Sequence, residues 1–131
     1  SLEEVETVTG APRDSLINSI LESIDIGDMD KTLSSIYKIV EEGVDMKVFL
    51  KLLIQRVRHI LLLRFSKDAS VSVKNQVSET TFKIIEKLSA SKNQFISSQA
   101  LLEFLNAYDL VGFSSVPELP IELALMRIIN K

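Results

Sequence analysis

The 131-residue chain contains no cysteine, which removes thiolate catalysis, disulfides and Cys-based zinc or iron–sulfur sites, and fits a reducing compartment. Its four glycines and three prolines are all isolated, so neither a GxxxxGK[ST] phosphate loop nor a dinucleotide-binding glycine turn can be assembled. His59 is the only histidine, and its helical neighbours Arg56 and Leu63 are neither metal ligands nor members of a serine triad. The serines are scattered, with no G-x-S-x-G elbow to mark a nucleophile. A net charge of −3 predicts no strong pull toward nucleic acid or anionic lipid. The opening SLEEVETV is acidic where a signal peptide would be basic and then apolar, and the first residue is Ser rather than Met, which points to a segment of a longer polypeptide.

What the chain has in quantity is apolar helix. DMKVFLKLLIQRVRHILLLRF, Asp45 to Phe65, reads as one long helix built from good helix formers, with Asp45 as N-cap and Gly43 ending the helix before it. On a wheel of about 100° per residue, Met46, Phe49, Leu50, Leu53, Ile54, Val57, Ile60 and Leu61 share one broad sector, the expected core face. Val48, Leu52, Leu62 and Leu63 fall on the far side with Gln55, Arg56 and His59. The charged and polar residues exclude a membrane span. The second apolar stripe therefore needs cover, either from another helix of this chain or from another subunit.

Around this centre the periodicity places a first helix near residues 13–25, faced by Leu16, Ile17, Ile20, Leu21 and Ile24 after Pro12. A second runs from an Asp28 cap to Gly43 with Leu33, Ile36, Tyr37, Ile39 and Val40 inward. Short connections predict antiparallel neighbours. KDASVSVKNQVSET reads as a loop, because a lone SVSV strand would have no partner. Further helices are expected over residues 78–88, from a Ser91 cap to about Val111, and from Ile121 to Asn130, the last facing inward with Ile121, Ala124, Leu125 and Ile128. The expected fold class is all-α, a single domain of five or six helices around the long one, with no internal repeat.

No catalytic constellation emerges. Arg56, Arg58, Arg64 and Lys67 form the densest basic region, but they scatter round the helix without interleaved aromatics and read as solvated or salt-bridged. The surplus is apolar: Leu52, Leu62, Leu123 and Met126 lie outside the core sectors of their helices. An all-helical adaptor that takes a partner helix in a groove would account for such a surplus, as would a subunit interface.

Three stretches narrow this. SLEEVETVTGAPRDSLINSIL, then EEGVDMKVFLKLLIQRVRHILLLR with its Leu53, Ile54 and Arg58, and finally LPIELALMRI, Leu119 to Ile128, resemble in order and spacing the gamma and tau subunits of bacterial DNA polymerase III. The resemblance begins at the end of the small lid domain and runs through the collar domain; Ser66 to Gln99 matches little. It implies a boundary near residue 10, with residues 1–10 a linker or lid end and residues 11–131 a collar-type helical oligomerisation domain. It further implies a part without catalysis or cofactor, since the ATP- and magnesium-binding motifs of the family lie upstream. The expected partners are other gamma and tau subunits together with delta and delta-prime, in a cytoplasmic ring that loads the sliding clamp and meets DNA only indirectly. Under that reading Leu52, Leu62, Leu123 and Met126 are the candidate subunit interface.

Overall fold

Helix-forming stretches separated by capped turns produce an entirely helical arrangement in the computed structural model, which describes residues 14–129. In chain order the helices are α1 (Asp14–Asp25), α2 (Met29–Glu41), α3 (Met46–Phe65), α4 (Ala69–Lys74), α5 (Glu79–Ser89), α6 (Ser98–Leu110), a single 3₁₀ turn (Val111–Phe113) and α7 (Leu119–Ile129). There is no strand among the described residues, and no helix among them is long and apolar enough to cross a membrane. The acidic segment before Gly10, together with Pro12, Arg13 and Asn130, lies outside the described residues.

The first two turns share one design. α1 and α2 each end in a glycine of positive φ, Gly27 at 74° and Gly43 at 78°, a region that L side chains with a Cβ avoid. At each, two amides reach back to the last carbonyls: Gly27 and Asp28 to Ile24 and Ser23, Gly43 and Val44 to Val40 and Ile39. These are Schellman closures. An aspartate then opens the next helix, Asp28 accepting from the Lys31 amide at 3.0 Å and Asp45 from the Lys47 amide at 2.8 Å. The connections are three and four residues long, and α1 packs on both α2 and α3; the α2–α3 neighbour pair that the sequence predicts is not formed, since α2 packs on α1 and α7 instead.

α3 lies against α1, α4, α5 and α6, and its Phe49, Leu50, Leu53, Val57 and Ile60 are fully enclosed. Ile54 and Leu61, expected in the same sector, are only half-buried. The core continues through Ile17, Ile20, Leu21 and Ile24 of α1, Ile36 and Ile39 of α2, Phe82, Ile85 and Leu88 of α5, Phe104 of α6 and Ile121, Leu125 and Ile128 of α7. α7 packs on α6 and α2, so it closes the bundle on the side away from α5.

Three features differ from the sequence reading. The segment read as a loop folds into the short helix α4, with Val73 buried and Val71 exposed, and it packs against α3. A partner for SVSV exists after all, a helix face rather than a strand, so local pattern alone could not reveal it. This helix also raises the count to seven α-helices among the described residues. The α6 cap is Ser97, whose hydroxyl accepts from the Ala100 amide at 3.2 Å, not Ser91. Ser91 instead donates to Asp25 at 3.1 Å, beside Asn93 at 3.3 Å, and this fastens the α5–α6 connection to the end of α1.

The third feature is the basic cluster, where the expected solvated or salt-bridged state holds for all but Arg64, which is half-buried. Arg56 is buried and paired with Asp14 at 2.9 Å, and His59 is buried with Nε2 3.2 Å from the Gln76 Oε1. Arg64 donates to three carbonyls, Leu88 at 3.2 Å, Ser89 at 3.3 Å and Ile96 at 2.6 Å, and so caps the end of α5 and pins the connection to α6. Arg58 and Lys67 alone of the group are exposed.

Candidate subunit interface

Two helices present apolar groups that the core does not use. On α7 the core takes Ile121, Ala124, Leu125 and Ile128. That leaves Leu119, Leu123 and Met126, 43, 42 and 48% exposed, at spacings i, i+4 and i+7. On a helix they fall within about 60° of one another and form a continuous ridge opposite the core. Glu122 borders the ridge and accepts the Tyr37 hydroxyl proton of α2 at 2.5 Å. That hydrogen bond raises the Tyr37 pKa above its usual value, with burial and the Glu122 and Glu118 charges adding to it. On the other flank Arg127 bridges to Glu103 of α6 at 3.3 Å, and a shallow cleft between α6 and α7 runs past Leu110 and Leu123. Leu102, Leu105 and Leu110 extend the exposed apolar surface along α6, and the 3₁₀ turn adds Phe113 at 90% exposure.

The second helix is α3. Its side turned away from α1 and α5 carries Lys47, Lys51, Gln55, Arg58 and Phe65 exposed and Leu62 half-buried. These six positions fall within about 80° on the wheel. Lys47 lies over the Tyr108 ring, 4.9 Å from its centroid. Lys51 and Arg58 have no carboxylate partner among the described residues.

The four positions picked from the sequence therefore divide. Leu123 and Met126 sit together on the α7 ridge. Leu62 lies on the outer side of α3, and Leu52 is half-buried, packed partly against the core. α6 stands between the two sites, so they form two patches rather than one. Leu119, the basic line on α3 and the exposed leucines of α6 were missed. The wheel would have found Leu119 had α7 been started at its true first residue rather than at Ile121. The basic line emerges once the buried Arg56 and the half-buried Arg64 are set aside.

No group of acidic residues or histidine able to hold a metal ion is present among the described residues. His59 is enclosed, its pKa held below the ordinary 6.5 by burial and by the nearby Arg56 and Arg58, against the opposing effect of the Gln76 contact.

Residues 1–131 match the family of DNA polymerase III subunits gamma and tau, domain III. The chain belongs to that family. No curated protein and no solved structure matches it. The match spans the Ser66–Gln99 region as well, so the segment that bore least resemblance by eye lies inside the gamma and tau domain III.

Proposed function

We propose that this domain III is a non-catalytic oligomerisation module, the collar through which gamma and tau subunits stand side by side with delta and delta-prime in the cytoplasmic clamp-loader ring. The observation that supports it most is the α7 ridge: Leu119, Leu123 and Met126 remain exposed while the helix already buries a full core face. Leaving a ridge of three large apolar side chains in water is unfavourable unless a partner covers it. In this reading Leu52, Leu62, Leu123 and Met126 contribute to contacts between subunits. ATP and magnesium act on other modules, and DNA and the sliding clamp are reached through them.

The test is co-elution of the wild-type chain and of Leu123→Asp and Met126→Asp with the other clamp-loader subunits, beside melting curves. Both variants should fold normally and lose association by about 2 kcal/mol or more. Variants that unfold would place these residues in the core, and a wild-type chain that ignores clamp-loader subunits but captures a helical peptide would make it an adaptor.

A further inference from the structure

Charge is distributed unevenly between the two patches. Residues 46–67, which contain α3, hold six Lys or Arg and no carboxylate. Two of the six are engaged within the fold, Arg56 in an ion pair with Asp14 and Arg64 in hydrogen bonds to carbonyl oxygens. Lys47, Lys51 and Arg58 then line the outer side of α3, with Leu62 and Phe65 continuing the line. Residues 98–129, containing α6 and α7, hold Glu103, Asp109, Glu118 and Glu122 against the single cation Arg127, which Glu103 already occupies. Glu118 and Glu122 therefore flank the Leu119–Leu123–Met126 ridge without a compensating positive charge on α7.

We infer that the outer side of α3 in one copy of this chain docks on the α7 ridge of the next, a head-to-tail contact whose partner is a second copy. The inference rests on the oligomerisation reading and specifies which faces meet. α3 against α3 would bring Lys51 and Arg58 up to their own equivalents, and α7 against α7 would do the same to Glu118 and Glu122. Only the mixed pairing sets cations against carboxylates while covering Leu62 and Phe65 with leucines and a methionine. A nucleic acid suits the α3 line less well, because Leu62 and Phe65 continue it and Ile54 and Leu61 flank it, and none of these contacts a phosphate usefully. Two different patches on opposite sides of α6 also allow each copy to engage two neighbours at once.

The absence of native cysteine makes the geometry testable by cross-linking. Gln55→Cys marks the α3 face and Leu119→Cys the α7 face. Treated with a short bis-maleimide, alone and with the other clamp-loader subunits present, a mixture of the two variants should give a cross-linked pair that neither gives by itself. In parallel, Lys51→Glu/Arg58→Glu should weaken association with wild type roughly tenfold or more, and a partner carrying Glu118→Lys/Glu122→Lys should restore it. Products from each single-cysteine variant alone, with no mixed product, would establish a symmetric contact and overturn the inference. Association of wild type that neither charge reversal affects would overturn it while leaving the oligomerisation reading intact. Failure of wild type to associate at all would remove both. If the charge-reversed protein keeps its subunit contacts but loses affinity for duplex DNA, the α3 line serves nucleic acid and the inference fails.

Discussion

Gly27 and Gly43 allow a controlled measurement of what one close contact costs, because their backbones match and their surroundings do not. Both occupy the C′ position of a Schellman closure, at φ 74° and 78°. A Cβ built on Gly43 meets nothing within 4 Å, so Gly43→Ala bears only the left-handed backbone penalty, about 1 kcal/mol. At Gly27 the same atom would lie 2.6 Å from Cε2 and 2.8 Å from Cζ of Phe95, ring atoms on a half-buried side chain that packs against the core. The ring must move by roughly 1 Å, and overpacking of that kind adds about 1–3 kcal/mol. Gly27→Ala should therefore cost roughly 2–4 kcal/mol against about 1 for Gly43→Ala. For a domain of this size each kcal/mol lowers the melting temperature by about 4 °C. Urea and thermal unfolding of both variants measure the difference. Phe95→Leu combined with Gly27→Ala should then recover about 1 kcal/mol relative to additivity, since the smaller side chain vacates the clash. Equal losses at the two glycines, or strict additivity in the double variant, would show that Phe95 does not pack on the α1–α2 turn as described.

Three other outcomes are expected. Leu53→Asp places an unpaired charge in a fully enclosed site and should unfold the chain, which circular dichroism would register as loss of helix. Arg64→Met leaves the carbonyls of Leu88, Ser89 and Ile96 without their donor and should cost about 2–4 kcal/mol in urea unfolding, with faster hydrogen exchange at the end of α5. Burial holds the His59 pKa below 6.5, so the unfolded chain binds the proton more readily than the native one. Stability is therefore full above pH 6.5 and falls as the pH drops through that value toward the lower native pKa; His59→Gln should flatten this part of the urea-midpoint profile, and an unchanged slope would refute the assignment.

The turns were the most legible part of the molecule. Gly27–Asp28 and Gly43–Val44–Asp45 combine a residue that tolerates positive φ with one that caps, and each occurs where an apolar period breaks. The 3.6-residue periodicity likewise identified the buried sides of α1 and α7 and, apart from Tyr37, which was expected inward and is 42% exposed, that of α2. Reading failed where the signal was tertiary. α4 is too short to show a period, and its helical form depends on the second side of α3, against which Val73 is buried. For Arg56, His59 and Arg64 the side-chain type favours the surface, and only Asp14, Gln76 and the α5 carbonyls, distant in sequence, make burial of the first two and half-burial of Arg64 acceptable. Of the candidate interface, the leucines and the methionine could be found by subtraction from the core. The basic line was hidden among the other cations of the helix until Arg56 and Arg64, both engaged within the fold, were separated from it.

The paired glycine–aspartate turns also bear on how the chain reaches its fold. Because α1, α2 and α3 are joined by connections of three and four residues, the contacts of α1 with α2 and with α3 close short loops, for which the entropic penalty is small. α1, α2 and the facing part of α3 should therefore assemble early, while α6 and α7 must wait for contacts made across the intervening α4–α5 segment. On a ribosome this order coincides with the order of synthesis. The basic side of α3 would emerge with the first subassembly, and the acidic ridge of α7, made last, would complete the surface only when the whole domain is present.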